Sequence, residues 1–378
     1  MIIEVTGVNT WNKGAELMLV AIRDHFARHH PGVHLAVDTR FGSYLDRARY
    51  GLLQKVEVRR PGRSKLALAV MPSSFRKSFG LVSGRDVDAV LDASGFAFGD
   101  QHPAERAVRF AREVAAMRRA EKVVVLMPQA LGPFEHAPTR DAFAHIVEGS
   151  NLVFARDAVS LAHARNAVPH PDRVFLAPDF TNLVKPLSEA EQGSTDTVCI
   201  VPNQRMIEKA GDASAAASYV PLMASGIAAI EEAGLRPLLL VHGHHDAPLV
   251  QHIVEQVGHA VPCVQEADPV EIKRLLGRSR LVIGSRFHAL VSALSQGVPC
   301  IATSWSHKYE MLFKDYACEE MVLPVPSTVD QIRTCVDQAI GAARPDLVAR
   351  IKQSAERLVH QVHGMWERVD RELGLINT

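Results

Sequence analysis

Short apolar runs recur along this chain and alternate with longer segments whose apolar positions fall at helical spacing. Ile2–Val5, Val33–Asp38, Ala89–Asp92, Val123–Met127 and Leu152–Ala155 read as buried strands, with helices at Glu16–His29 and Ala104–Ala120 between them. The second half repeats the pattern, with strands predicted at Val198–Val201, Pro237–Val241 and Leu281–Ile283 and helices at about 220–233, 248–257 and 289–295. Strands separated by helix-length segments are joined by crossovers, which make parallel sheets. The fold expected is therefore α/β, with two doubly wound, Rossmann-like domains. The polar stretch 182–196, NLVKPLSEAEQGSTD, carries a Pro and a Gly between two strand-like segments and is where the interdomain linker is expected. Domains are thus expected at 1–182 and 197–342. A long amphipathic helix follows within 343–378, with Leu347, Ile351, Leu358, Val362 and Trp366 near helical spacing.

The 378 residues suffice for two cores, and 47% of them are hydrophobic, a globular composition. Lys and Arg number 42 against 42 Asp and Glu, so the formal charge is zero. A general nucleic-acid binder needs a basic excess, so that class is excluded and any anionic ligand must be met by local charge. The five cysteines are odd in number and widely spaced, without a CxxC pair, which fits a reduced, cytoplasmic compartment. The chain opens on a strand pattern with Glu4 in it rather than on a basic leader, and no apolar run approaches the ~18–20 residues that span a bilayer. The expectation is a cytoplasmic protein, at most peripheral at the inner face of the membrane. Residues Arg59–Phe79 bear on that point. They concentrate basic residues around an apolar patch, which reads either as a solvated connection or as a surface that touches anionic lipid.

The strongest motif is LVIGSRFHALVSALSQGVP, residues 281–299: a strand, then Gly284-Ser285, a helix, and Gly297-Val298-Pro299 before the next strand. Ser285 is a candidate N-cap, and Arg286 and His288 flank a helix start that suits an anion. Arg offers a planar fork to a carboxylate or phosphate, and His exchanges a proton near neutral pH. Downstream, a strand at Ile301–Ser304 leads into His307-Lys308-Tyr309, read as a polar loop with a further cation, and Arg205 follows the strand Val198–Val201. The first strand exits into Gly7–Glu16, a glycine-containing turn without the GxGxxG or P-loop spacing; its Asn12 and Glu16 suit sugar hydroxyls. Loops at 91–101 and 126–134 add Asp92, Asp100, Gln101 and Gln129 beside aromatic residues, a carbohydrate-like surface or else tight structural turns. The histidines His242, His244, His245, His252 and His259 cluster after a strand but lack HExxH spacing, so no metal is expected there.

Taken in order, these segments resemble the polysaccharide pyruvyl transferase family. The resemblance runs from about Val5 to Phe313 through Asn12–Glu16, Gly95–Asp100, Met127–Gln129 with Gly132–Phe134, Ala155–Asp157 with Ser160, Pro178-Asp179, and above all Gly284–His288 with Gly297–Pro299. It implies a GT-B-like fold of two Rossmann-like domains facing a cleft, the first binding the acceptor and the second the donor. It also implies transfer of pyruvate from phosphoenolpyruvate, as co-substrate and without a cofactor, to a sugar of an exopolysaccharide or cell-wall glycan precursor as a cyclic ketal. Arg286 and His288 match the family's donor element, while Arg205, Lys308 and Ser285 join the donor set. Asn12, Glu16, Asp92, Asp100, Gln101 and Gln129 form the acceptor set. In the reaction His288 is phosphate ligand or general acid, Arg286 a catalytic cation, and Glu16 or Asp100 the base. One departure lies on the acceptor side: Ala15 stands where many members carry Asp. Two alternatives use the same residues differently: a nucleotide-sugar glycosyltransferase of GT-B fold, or a non-catalytic glycan-binding relative.

Overall fold

The computed structural model describes residues 1–56, 72–208, 213–304, 307–324 and 326–377. They form two compact units. The first comprises Met1–Thr10, Met18–Phe180 and Val362–Thr378, and the second Trp11–Leu17 and Thr181–Gln361. The linear division expected from sequence therefore differs in two places. The turn residues Trp11–Leu17 belong with the second unit, and the last helix, Arg344–Glu372, contributes to both. The polar stretch 182–196 is pinned to the second unit rather than loose, since Gly193 and Thr195 donate backbone N–H groups to the carbonyls of Gly277 and Arg278.

Among the described residues the first unit carries nine parallel strands: β1 Ile2–Thr6, β2 His34–Val37, β3 Leu53–Lys55, β4 Leu81–Val82, β5 Ala89–Asp92, β6 Phe96–Phe98, β7 Val123–Leu131, β8 Leu152–Ala155 and β9 Val174–Leu176. Their order is β4-β3-β2-β1-β5-β7-β8-β9, with β6 paired to β7. Chain order reverses direction between β1 and β5, the switch point of this sheet. Gly7 sits there at φ 79°, and a Cβ on it would fall 2.3 Å from Ser94 Oγ, so only glycine lets the two loops meet. The strands give this core Phe98, Val124, Leu126, Leu131, Val153 and Val174, closed by Ala107, Val114, Phe143 and Ile146 from the helices Ala104–Arg119 and Ala137–Gly149.

The second unit has β10 Thr197–Val201, β11 Arg236–Leu240, β12 Cys263–Val264, β13 Leu281–Gly284, β14 Cys300–Ser304 and β15 Val322–Pro324, all parallel, in the order β12-β11-β10-β13-β14-β15. This is the Rossmann order, and its switch point lies between β10 and β13, which pair from Val198–Leu281 to Val201–Gly284. Helix Ala213–Glu232 covers this sheet with Leu222, Met223, Ile227 and Ile230. At 20 residues it is also long and apolar enough to cross a membrane by length and composition, which corrects the expectation that no such run exists. Here it is a core helix: Tyr219 is fully buried, its hydroxyl bonded to Ser285. All five cysteines carry free thiols, four of them buried.

Most of Arg59–Phe79 lies outside the described residues. Of its described part, Ser73–Ser78 is helical and leaves Phe75 and Phe79 exposed with their rings 4.5 Å apart, while Arg76 pairs with Asp86 at 3.0 Å.

Candidate functional site

The ends of β10 and β13 place Asn203 and Ser285 at the switch point of the second unit. Ser285 is completely buried and held from every side. Its N–H donates to Val201 O at 3.1 Å, and its carbonyl accepts from Asn203 Nδ2 at 2.7 Å and Tyr309 Oη at 2.6 Å. Its hydroxyl bonds Tyr219 Oη at 2.7 Å and Thr303 Oγ1. Burial pushes the Tyr219 hydroxyl up to about 12, so it stays protonated in this network. Ser285 is therefore not the helix cap expected of it. The cap position of helix Phe287–Leu294 is Arg286, without a side-chain capping bond, and the serine fixes the turn that presents Arg286 and His288.

Arg286 meets a carboxylate that sequence reasoning passed over. Asp246, in the loop after β11, is fully buried; Arg286 Nε donates to its Oδ2 at 2.9 Å and Nη2 to its Oδ1. The same carboxylate accepts the N–H of Gln204 at 3.0 Å and of Gly243 at 3.0 Å. A guanidinium has five N–H donors, and Asp246 occupies the Nε–Nη2 edge. Orientation is thus fixed while the Nη1 side keeps its donors. In sequence the histidines are the conspicuous groups of this segment, and nothing in its spacing singles out the acid.

The turn Trp11–Leu17 completes this side. Asn12 caps helix Lys13–His29, its Oδ1 accepting the Gly14 N–H at 3.1 Å, and its backbone pairs with Gly243 in an isolated antiparallel bridge. Gly14 lies against His288: a Cβ there would fall 2.4 Å from the imidazole Nδ1. Lys13 Nζ donates to buried Glu16 at 2.7 Å. His242 is buried in the same group, and burial together with the charges of Arg286, His288 and Lys13 pushes it down to about 3, so it is neutral at working pH. Asn12 and Glu16, expected on the acceptor domain, thus belong to the second unit, as do Arg286 and His288.

Lys308 stands 5.1 Å from the Tyr309 ring centroid, and Tyr309 Oη holds Ser285 O, which ties this lysine to the same turn. His307-Lys308-Tyr309 opens helix His307–Asp315 rather than forming a loop. Arg205 is exposed at the start of a short helical turn, its backbone N–H capped by Asn203 Oδ1 at 3.1 Å.

The remaining candidates lie in the first unit. Asp92 is buried and accepts from Thr6 Oγ1 at 3.1 Å, Ser94 Oγ at 2.7 Å and Gln129 Nε2 at 3.0 Å. Burial raises its pKa against the pull of those donors. Asp92 and Gln129 therefore brace the β1–β5 switch point from inside, both buried in the first unit. Asp100 Oδ2 accepts the N–H groups of Glu135 at 2.6 Å and His136 at 3.3 Å, which anchors the segment entering helix Ala137–Gly149, while Gln101 is exposed beside it. In the motif around Ala155, Asp157 caps its helix through Ser160 N at 2.7 Å, and Arg156 pairs with Asp179 at 3.5 Å in a buried position.

Two parallel, Rossmann-like units, one with Arg, His and Lys gathered at its switch point, define a GT-B-like α/β protein. The chain belongs to the polysaccharide pyruvyl transferase family, whose family model matches residues 12–307. A similar curated protein is the amylovoran biosynthesis protein AmsJ of Erwinia amylovora, 22% identical over 269 residues; the match covers 65% of this chain and 63% of that protein's length. Similar folds are Alr3699/HepE of Anabaena in complex with UDP-glucose (TM-score 0.60, 13% identity, covering 99% of each chain) and MnaA of S. aureus with UDP (TM-score 0.62, 11% identity, covering 99% and 97%).

Proposed function

We propose that this protein transfers pyruvate from phosphoenolpyruvate to two hydroxyls of one sugar in an exopolysaccharide or cell-wall glycan precursor, releasing inorganic phosphate and leaving a cyclic ketal. The observation that carries this reading is the convergence of Arg286, His288 and Lys13 on one switch point, with each permanent cation oriented by its own buried carboxylate. Family membership and the similarity to an amylovoran biosynthesis protein support it.

The chemistry suits these groups. Phosphoenolpyruvate offers a carboxylate and a phosphate, which call for donors of fixed geometry. One sugar hydroxyl adds to the central carbon as the methylene carbon takes a proton; phosphate then leaves with its C–O bond, and the second hydroxyl closes the ketal. One proton ends on the new methyl group and the other leaves with phosphate. The Nη1 side of Arg286 holds the donor anion. His288 binds the phosphate or delivers the proton, and Lys308 and Arg205 add charge as the donor enters. Glu16, buried beside Lys13, and Asp100 are the candidate bases, and Gln101 is the exposed acceptor contact. Phosphoenolpyruvate is the co-substrate, and no cofactor enters the balance. If the acceptor is lipid-linked, exposed Phe75 and Phe79 with their basic neighbours would rest on the membrane.

A glycosyltransferase holding a nucleotide sugar would place a free carboxylate after β11 to take the ribose. The acid there, Asp246, is buried and committed to Arg286, which favours the pyruvyl reading. The test is calorimetric titration of phosphoenolpyruvate and of a uridine diphosphate sugar into the full chain. Phosphoenolpyruvate binding that Arg286→Ala abolishes is expected; binding of the nucleotide sugar alone would overturn the proposal.

A further inference from the structure

We infer that His25, His30 and Asp370 form a binding site for a divalent first-row metal ion, with zinc the best fit, in the first unit and apart from the residues discussed above. His25 lies in the last turns of helix Lys13–His29, His30 follows that helix, and Asp370 comes from helix Arg344–Glu372. His25 Nε2 is 2.9 and 3.1 Å from the two Asp370 carboxylate oxygens, and His30 Nε2 is 3.2 Å from Oδ2. The three ligand atoms, one from each side chain, lie within 4.8 Å of one another. A tetrahedral ion with bonds of roughly 2.0–2.2 Å has ligand-to-ligand edges of about 3.3–3.6 Å, so each histidine opens from Asp370 by a few tenths of an ångström, and the two imidazoles, within 4.8 Å of each other, close by about 1 Å at most.

The set is also preorganised. The His25 ring stacks on Trp366 at 3.8 Å between centroids and 9° between planes, and Trp366 itself packs edge-on to Phe26 and Phe180. Val362, Met365 and Val369 bury the neighbouring positions of the helix that carries Asp370. Both imidazoles and the carboxylate are therefore held by a packed scaffold and not by flexible loops, the condition a metal site requires. Side-chain exposures of 8% for His25, 14% for His30 and 9% for Asp370 keep the set nearly dry while leaving an approach from solvent, where water would complete the coordination. Two imidazoles and one carboxylate suit zinc among the common cations, because calcium and magnesium prefer all-oxygen shells. Such an ion would staple the C-terminal end of the chain to the first helix. This site is distinct from the histidines 242–259: in the second unit, His242 is buried among cations and His259 pairs with Glu231 at 3.2 Å.

The test uses the full chain stripped with a chelator and titrated with zinc alone by calorimetry near neutral pH, with thermal melts in parallel. Expected are one zinc per chain that raises the melting temperature, loss of at least tenfold in affinity in His30→Gln and in Asp370→Asn, and no zinc-dependent rise in either variant. Because Asp370 pairs with both histidines while His30 pairs with Asp370 alone, His30→Gln, at the helix end, is the safer comparison. Cobalt absorption typical of a four-coordinate site in wild type alone would support the same conclusion. If wild type binds no zinc, or no more than a triple variant with His25→Gln, His30→Gln and Asp370→Asn, the triad is only an ion-pair clamp and the inference is overturned. None of these readouts depends on transfer activity, so they stand or fall apart from the proposed function.

Discussion

Gly14 carries no side chain because the His288 imidazole occupies the space one would need. The overlap in Gly14→Ala reaches His288 Cβ at 2.8 Å as well as the ring, so the histidine cannot escape by a small rotation at its tip. Displacing a reacting group by about 1 Å costs on the order of 100-fold. Transfer activity of Gly14→Ala, measured as phosphate release under saturating donor, is expected to fall by about that factor, and the melting temperature to drop with the overpacking cost of about 1–3 kcal/mol. His242 gives a prediction in pH. Its folded value of about 3 lies below the ordinary 6.5, so the unfolded chain takes up the proton first as pH falls. The stability it affects is complete above about 6.5 and declines as pH drops toward 3. His242→Gln is expected to flatten the fall in melting temperature between neutral and about pH 5. Arg286 and His288 stood out in the sequence because their types declare their chemistry. Asp246 did not, since nothing in HGHHDAP says which of its groups turns inward.

At the scale of elements, the turn after β13 is held by four side-chain partners drawn from four places: Asn203 after β10, Tyr219 on its helix, Thr303 on β14 and Tyr309 on the following helix. Ser285→Ala leaves Tyr219 Oη and Thr303 Oγ1 in a dry site without their partner, at about 1–3 kcal/mol. A lower melting temperature and a raised KM for phosphoenolpyruvate are expected, with kcat less affected. Asp246→Asn breaks a buried pair, which costs about 3–5 kcal/mol. It should also lower phosphoenolpyruvate affinity about tenfold, roughly 1.4 kcal/mol, by calorimetry. Strand existence was legible here: Ala89–Asp92 and Leu152–Ala155 fall where the apolar runs placed them. Helix starts were less so. The helix expected from about 220 begins at Ala213, because its first turns are Ala and Ser, small residues without an apolar stripe. His307-Lys308-Tyr309 reads as a polar loop because the helix's apolar anchors beyond Tyr309, namely Leu312 and Phe313, lie further along.

For the whole molecule, alternation of strand and helix was enough to predict two doubly wound units. It was not enough to show that Trp11–Leu17 packs with the second. That exchange is a long-range choice, made by the Asn12–Gly243 bridge and the fit of Gly14 to His288, and local pattern carries no trace of it. The zero formal charge takes on a local meaning as well. Arg286 with Asp246 and Lys13 with Glu16 are neutral pairs in which the carboxylate aims the cation, so a chain without basic excess can still present ordered donors to an anion. The central claim is tested most directly by incubating the full chain with phosphoenolpyruvate and glycan acceptors while following phosphate release and acceptor mass together. The account predicts equal amounts of phosphate and of an acceptor heavier by one pyruvate less one water, both lost in Arg286→Ala and His288→Ala. Full transfer by those two variants, or phosphate release without any gain in acceptor mass, would contradict it.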